Sequence, residues 1–428
     1  MNNRTKRLCI FGLGYVGLPL ACLAAEKDYC VVGVDIDERK ISMINKGISP
    51  IDDKELKNKL KRLNGKINAT RDALTAVKES DIIIICVPTP VDENYHPNLE
   101  YVKEAAEVVS KGLKKEHLVI LESTVAPMTT ENILKPILET SGLKCGEDFH
   151  LCFCPERIDP GNKKFKLKDI PRVVGGINKK GTEKAEEFYN SILDSEVLGL
   201  SSPRSAEAVK IMENTFRDIN IAFVNEMAKS FDRLGIDITE VLKGASTKPF
   251  AFMPHYPGCG VGGHCISVDP YYLIEQAGKE GFEHRFLRLA REINNSMPEY
   301  TVERVIEGLN EISKSVKNTK ISVLGLAYKG NIDDTRESPA FKIIEKLKNM
   351  GGDVKVFDPY VPDMCDFNNL DESLNCECIV LVTDHNEFKN LDLNLVKEKG
   401  VRVIVDGRNA LSKESVKELG IIYKGIGT

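Results

Sequence analysis

Apolar residues recur along this chain in two ways, as short unbroken runs and as longer stretches with helical spacing, and the two alternate from the start. Residues 7–13 are an apolar run, 16–26 a helical pattern and 30–37 a second run, which predicts a strand, a helix and a strand. Further runs at 81–87, 118–122 and 150–154, with helical patterns between them, extend this unit to a parallel, doubly wound sheet. The texture then changes. Residues 207–234 carry apolar positions at helical spacing without Pro or Gly, enough for about seven turns of a helical spine at about 3.6 residues each. A loop dense in breakers follows at 248–270, with Pro249, Pro254, Pro257, Gly258, Gly260, Gly262 and Gly263. Long irregular loops in compact chains usually carry function. A second alternation begins at residue 320, with strands expected at 321–326, 354–357, 378–383 and 401–406 and a helix at 339–349. The chain therefore reads as two α/β domains flanking a helical middle.

Composition changes this picture little. The chain has 428 residues, 42% hydrophobic and 29% charged, with a net charge of −5. That is ordinary for a globular protein of two or three domains. Charges of both signs are interspersed, so no basic face suggests a nucleic-acid or membrane partner, and an anionic substrate must be held by local groups. No apolar run approaches the about 20 residues needed to span a bilayer, and the first residues leave no room for a secretory signal, so a cytoplasmic protein is expected. Twelve cysteines are scattered along the chain, several of them (Cys9, Cys30, Cys86) inside apolar runs, and should be reduced core thiols. The pairs Cys152/Cys154 and Cys376/Cys378 lack zinc-type spacing, and no metal is expected.

Gly12-Leu13-Gly14-Tyr15-Val16-Gly17 follows the first expected strand and opens the first helix, and Asp35 ends the next strand about 20 residues on. Gly12, Gly14 and Gly17 would let the backbone, with Tyr15 and Val16, approach a pyrophosphate lying against the helix N-terminus. Asp35 would accept from a ribose diol and repel a 2′-phosphate, so the cofactor is NAD rather than NADP. With this fingerprint, the first of the two α/β domains becomes Rossmann-like. Val87-Pro88-Thr89-Pro90 and Glu122-Ser123-Thr124-Val125 each end a strand at the edge where such sheets bind ligands, making Thr89 and Thr124 candidate contacts. Ordinary turn chemistry would explain these two threonines equally well.

The segment from Gly258 to Pro270 contains Gly262-Gly263-His264-Cys265-Ile266-Ser267-Val268-Asp269. A cysteine among glycines, followed four residues later by a carboxylate, can attack a carbonyl carbon. In a loop so rich in breakers there is little core for a thiol to fill. Lys210 and Asn214 lie four apart on the spine, hence on one face, where they could aim an ammonium and an amide at one oxyanion, with Asp218 continuing that face to orient them; taken alone, Lys210 reads as a solvated surface charge of the helix.

At these residues the chain resembles the UDP-sugar 6-dehydrogenases, the family that includes UDP-glucose dehydrogenase and the UDP-N-acetylhexosamine dehydrogenases. The resemblance runs through Gly12 to Gly17, Val87-Pro88-Thr89-Pro90, Ser123-Thr124-Val125, Pro155-Glu156-Arg157, Lys210 to Asn214, Gly262 to Asp269 and Asp334-Thr335-Arg336-Glu337-Ser338, in order. It implies an NAD-binding Rossmann domain at 1–203, a central helical dimerisation domain with the cysteine loop at 204–305 and a UDP-binding Rossmann-like domain at 306–428. It implies two hydride transfers from a sugar C6 alcohol to NAD, with Cys265 forming a thiohemiacetal and then a thioester. Catalysis would fall to Cys265, Lys210, Asn214, Asp269, Glu156 and Thr124, with Asp269 and Lys210 serving the alcohol step and Glu156 the thioester hydrolysis. An ion pair with Arg157 is the structural alternative for Glu156. The substrate would be held by Glu156, Arg157, Lys210, Asn214, Gly262, His264 and Lys329. Arg336 would touch the cofactor edge, and the turn from Gly325 to Gly330 would offer a second phosphate-compatible backbone.

Gly262-Gly263-His264-Cys265 and Pro155-Glu156-Arg157-Ile158-Asp159-Pro160-Gly161-Asn162 look like the branch acting on UDP-N-acetylhexosamines. Residues 159–162 lean toward UDP-N-acetylglucosamine, with UDP-N-acetylmannosamine close behind and UDP-glucose third. Two rivals stand beside this reading: a one-step hydroxyacid-type dehydrogenase, which has no use for Cys265, and an inactive nucleotide-binding regulator. The apolar positions of the spine exceed what one domain would cover, so a homodimer is expected.

Overall fold

The computed structural model of the chain describes residues 6–51, 53–90, 92, 97–158, 165–263 and 266–428. It divides into two compact units: Met1–Glu213 with Tyr271–Gly281, and Asn214–Pro270 with Phe282–Thr428.

Among the described residues the first unit holds eight strands: β1 (Arg7–Phe11), β2 (Cys30–Val34), β3 (Ile67–Thr70), β4 (Ile82–Ile85), β5 (Leu118–Leu121), β6 (His150–Phe153), β7 (Arg172–Gly176) and β8 (Val197–Leu200). They form one sheet in the order β3-β2-β1-β4-β5-β6-β7-β8, and β6 with β7 is the antiparallel pair. The first six strands have the order 3-2-1-4-5-6 of doubly wound dinucleotide-binding sheets, reversing between β1 and β4. Alternate residues of β1 enter different cores, Leu8 and Ile10 on one side and Cys9 and Phe11 on the other. A strand buried on both faces reads as an unbroken apolar run, which is why periodicity found it.

The second unit contains a five-stranded parallel sheet of β9 (Lys320–Leu324), β10 (Asp353–Phe357), β11 (Cys378–Leu381), β12 (Val403–Asp406) and β13 (Ile422–Gly425), in the order β10-β9-β11-β12-β13. This is the 2-1-3-4-5 doubly wound order, with its reversal between β9 and β11. Two Rossmann-like parallel sheets with a helical middle are thus present. The spine is one helix, Pro203–Leu234, of 32 residues. It starts four residues earlier than the apolar pattern suggested. The Ser202 hydroxyl accepts from the Ser205 amide, and Pro203 fits a first helical turn, where a missing N–H costs nothing.

Within the second unit, Val224 and Ala228 of the spine pack with Ile238, Leu242, Met297, Tyr300 and Ile426. Beside this apolar seam runs a buried polar ladder to the helix Arg285–Glu311. Asp218 accepts from Arg291 Nη1 at 2.6 Å and Asn294 Nδ2 at 2.8 Å. Asn225 donates to Asn294 Oδ1 at 2.9 Å, while its own Oδ1 accepts from the Gly258 amide at 3.0 Å. The ladder therefore anchors the first residue of the Gly258 to Pro270 loop. Asp218 serves Arg291 and Asn294, which corrects the expectation that it orients Lys210 and Asn214.

Candidate active site

At the reversal between β1 and β4, three glycines play different parts. Gly12 has φ +88° and lies so close to the neighbouring strand end that an added Cβ would stand 2.6 Å from the Cys86 carbonyl oxygen. At Gly17, first residue of the helix Gly17–Glu26, a Cβ would meet the Gly12 carbonyl oxygen at 1.9 Å. Gly14 has nothing within 4 Å of such a Cβ. Gly12 and Gly17 are therefore required by the turn itself, whereas Gly14 faces open space before the helix N-terminus, as a pyrophosphate cradle demands. Tyr15 beside it is exposed and Val16 precedes the first helical residue. Asp35, just past β2, is buried. Its Oδ2 accepts from the Leu13 amide at 2.9 Å and its Oδ1 from the Asp37 amide at 3.0 Å. It ties the glycine turn to β2 and keeps lone pairs for a ribose. This donor and space arrangement fits NAD.

These differences give a separable outcome. Gly14→Ala should leave unfolding without cofactor nearly unchanged while weakening NAD binding about tenfold or more. Gly17→Ala should destabilise the unit by about 1–3 kcal/mol or more through overpacking. Denaturant melts and NAD titrations on both variants check this; equal behaviour of the two would refute the division of labour.

The β4 and β5 ends meet through Thr89, whose hydroxyl donates to the Thr124 carbonyl at 2.8 Å, and whose own carbonyl accepts from the Tyr272 hydroxyl at 2.5 Å. Thr89 is buried and its hydroxyl is used structurally; Thr124 is half-buried.

Past β6, the chain delivers Glu156. Its Oε1 accepts from the Arg157 and Ile158 amides, and its Oε2 from Arg172 Nη2 at 2.7 Å. Arg172 is the first residue of β7 and is 1% exposed. Arg157 is engaged elsewhere, with Glu213 and the Pro171 carbonyl. The partner of Glu156 is therefore Arg172, not Arg157 as the sequence alternative had it. Lys210, on the spine, donates from Nζ to the Glu156 carbonyl at 2.5 Å and is 8% exposed. A solvated helical lysine would not be so placed; its long aliphatic stem is covered and its ammonium aimed beside Glu156.

Behind Glu156 lies a carboxylate that sequence reasoning passed over. Glu122 is fully buried, accepts from the Tyr189 hydroxyl, and stands 3.8 Å from Arg172 Nη1. Burial pushes its carboxyl up to about 7, against which Arg172 works in the opposite direction. The native state thus keeps a proton that the unfolded chain releases at its ordinary value of 4.5. The stability this proton gives is full below pH 4.5 and is lost as pH rises toward 7, a contribution of about 1–3 kcal/mol. Glu122→Gln should flatten that part of the stability profile, measured by urea unfolding between pH 5 and 8. The available signal was Arg172 itself, a cation opening an otherwise apolar buried strand.

In the second unit, Asn214 Nδ2 donates to Asp269 Oδ2, and both residues are buried. Asp269 begins the helix Asp269–Lys279. The cysteine loop is held on its glycine side: an added Cβ at Gly262 would stand 2.7 Å from Tyr328 Cβ and 2.8 Å from the Glu337 carbonyl. Gly263, at φ +83°, donates its amide to the Arg336 carbonyl at 2.9 Å. The Arg336 guanidinium pairs with Asp334, and Lys329 is half-buried on the turn after β9. In that turn the amides of Leu326 and Ala327 donate to Asp358 Oδ2 at 2.7 and 2.9 Å, and His385 Nε2 lies 3.0 Å from the same oxygen. Two amides of this turn are therefore engaged by a buried carboxylate, as the Leu13 amide is by Asp35 in the first unit.

Lys210 with Glu156, and Asn214 with Asp269, are thus brought together within their respective units. His264, Cys265 and the segment 159–162 lie outside the described residues. Among the described residues, the eleven other cysteines are free, no cluster of His, Cys, Asp and Glu could hold a metal, and no helix is long and apolar enough to cross a membrane.

Models of the UDP-glucose/GDP-mannose dehydrogenase family match the chain in three consecutive parts: its NAD binding domain at residues 6–193, its central domain at 204–296 and its UDP binding domain at 322–413. A UDP-N-acetyl-D-mannosamine dehydrogenase of Methanococcus maripaludis is 37% identical, with 100% of this chain and 98% of that protein covered. A UDP-N-acetyl-D-glucosamine 6-dehydrogenase of Pseudomonas aeruginosa is 36% identical over 92% of this chain and 94% of its own. Among solved structures, the UDP-D-ManNAc dehydrogenase of Pyrococcus horikoshii superposes with a TM-score of 0.92 at 38% identity, covering 98% of this chain and 99% of that one.

Proposed function

The chain belongs to the UDP-glucose/GDP-mannose dehydrogenase family, NAD-dependent oxidoreductases acting on UDP-sugars, and from that premise we propose that it oxidises C6 of a UDP-N-acetylhexosamine to the carboxylate. The manno epimer is placed first, because relatives covering nearly the whole chain carry that name. This reverses the order of the two epimers read from residues 159–162. The gluco epimer remains the second reading, supported by a relative of nearly equal identity.

The observation that carries the reaction is the meeting of Lys210 with Glu156, residues 54 apart in sequence and both buried. Gly12, Gly14, Gly17 and Asp35, with Thr89, Thr124 and Arg336 as further contacts, would hold NAD, which would supply the hydride acceptor for both oxidations. The protein supplies the rest. Asp269, fixed by Asn214, organises proton removal from the C6 hydroxyl together with Lys210. The Cys265 thiolate adds to the resulting aldehyde, so that C6 becomes tetrahedral and can lose its second hydride. Lys210 and Asn214 stabilise the oxyanion, and Glu156 takes a proton from the water that cleaves the thioester. Arg157, Gly262, His264 and Lys329 line the sugar nucleotide.

The assignment covers three domains, 1–203, 204–305 and 306–428. A nucleophilic thiol needs a reducing compartment, which supports a cytoplasmic setting. Exposed Phe223, Phe250, Tyr256, Phe286 and Leu289, all in the second unit, support a homodimer, which light scattering of the active species checks. The decisive experiment is NADH formation across a panel of UDP-hexoses and UDP-N-acetylhexosamines, with product masses. Two NADH per uronic acid are expected, fastest with UDP-N-acetylmannosamine. One NADH per sugar, or no turnover with any N-acetylhexosamine, would overturn the reading.

A further inference from the structure

Arg172 stands between two carboxylates. Its Nη2 donates to Glu156 Oε2 at 2.7 Å, its Nη1 donates to the Pro155 carbonyl at 3.1 Å, and the same Nη1 lies 3.8 Å from Glu122 Oε2. The arginine side chain is 1% exposed, that of Glu122 0% and that of Glu156 9%, so solvent cannot compensate any change of charge among them. A buried guanidinium without an anion is strongly unfavourable. The roles differ by position: Glu156 follows β6 beside Lys210, whereas Glu122 directly follows β5, enclosed by Cys86, Cys154 and Tyr189.

We propose that Arg172 and Glu122 are positioning residues acting through Glu156, an inference that rests on the function proposed above: Glu122 is the reserve anion that keeps Arg172 paired while Glu156 carries a proton. During thioester hydrolysis, Glu156 takes one proton from water as the oxygen bonds to the acyl carbon. It returns that proton to the departing Cys265 sulfur when the carbon–sulfur bond breaks. In between, Glu156 is neutral. With Glu122 ionised, the guanidinium still faces a carboxylate; with Glu122 protonated, it faces none. Hydrolysis is therefore faster on the ionised form of Glu122.

The surrounding groups leave Glu122 as the one that changes charge near neutrality. Burial holds the Cys86 thiol and the Tyr189 hydroxyl well above their usual ranges, pushes the Cys154 thiol up to about 12 and the Glu122 carboxyl up to about 7, and Arg172 stays cationic. Turnover limited by hydrolysis should accordingly rise as pH passes through neutrality. The Tyr189 hydroxyl, donating to Glu122 Oε1, favours the ionised form.

The test compares the full-length enzyme with Glu122→Gln, Tyr189→Phe and Glu156→Gln, using kcat and KM against pH and the mass of the protein trapped during turnover. Glu122→Gln fixes the neutral state. It should lose the neutral-pH rise in kcat, accumulate the sugar acyl adduct on the protein, and keep the KM values for NAD and UDP-sugar within about twofold. Tyr189→Phe should keep the rise but move it to higher pH. Glu156→Gln should accumulate the adduct at every pH. A parental profile without adduct in Glu122→Gln, while Glu156→Gln does accumulate it, overturns the reserve-anion role alone. Absence of adduct in Glu156→Gln overturns the reading of Glu156 and this inference with it.

Discussion

Replacing Cys265 by serine should leave NAD binding intact and stop the reaction short of the carboxylate. Hydride departs readily from a tetrahedral carbon bearing an oxyanion and poorly from a planar aldehyde, so the second oxidation needs a nucleophile that adds at neutral pH. A thiol ionises near pH 8.5 and forms an acyl bond that water can cleave. A serine hydroxyl without a dedicated base does neither well. Acid formation should fall by about three orders of magnitude or more, with fewer than two NADH per sugar consumed. The loop leading to this position is held in its own unit through the close packing of Gly262 on Tyr328 and the Gly263 amide on the Arg336 carbonyl. Undiminished acid formation by the serine variant, followed by product mass, would rule out the covalent route and favour a one-step dehydrogenase.

The second large effect is on stability. Arg291→Met should cost the second unit about 3–5 kcal/mol, because it leaves the Asp218 carboxylate buried opposite an apolar side chain. Both side chains of this pair are nearly solvent-free, at 4% and 1% exposure. Burial already pushes the Asp218 carboxyl above its usual range with Arg291 in place. The double variant Asp218→Asn/Arg291→Met should recover much of the loss, since an amide can stay bonded to Asn294 without a counter-charge. Urea unfolding of both variants decides it. A single variant costing less than 1 kcal/mol would show that the polar ladder is not what holds these helices together.

The fold was legible wherever one residue's neighbours in sequence decide its surroundings. Strands buried on both faces announce themselves as unbroken apolar runs, and several expected strands, such as 7–13, 81–87 and 378–383, overrun the ladder because apolar residues of the turns beyond them continue the pattern. The glycine fingerprint was legible because a turn is local. Four short strands that carry Asn, Gly or Lys among their four or five residues, β3, β7, β8 and β13, escaped the apolar pattern, and so did partners set by the sheet order. Adjacency in sequence pairs Glu156 with Arg157, whereas the residue it meets is Arg172, 16 positions on. Asp218 was placed with Lys210 and Asn214 because they share a helix face, but the helix Arg285–Glu311 brings it an arginine that no spacing rule would have found. The turn after β9 imitates the first in its glycines, and two of its amides are held by Asp358, just past the next strand, which its own sequence does not announce. Local pattern finds the elements; it does not say which polar groups the elements will lay side by side.

One reversal of chain direction has a price in sequence tolerance. Strand β7 runs against β6, pairing Gly175 with Phe153 and Gly176 with Cys152. Carried on past Phe153, that register reaches Glu156 opposite Arg172, at the edge of the sheet where ligands bind. A β7 running with β6 would deliver its opening arginine to the far edge instead. Side chains alternate from face to face along such a ladder. Inserting one residue between Phe153 and Glu156 would therefore leave the eight strands intact and turn the carboxylate away from its cation, giving a folded protein that binds cofactor and stalls with the sugar attached.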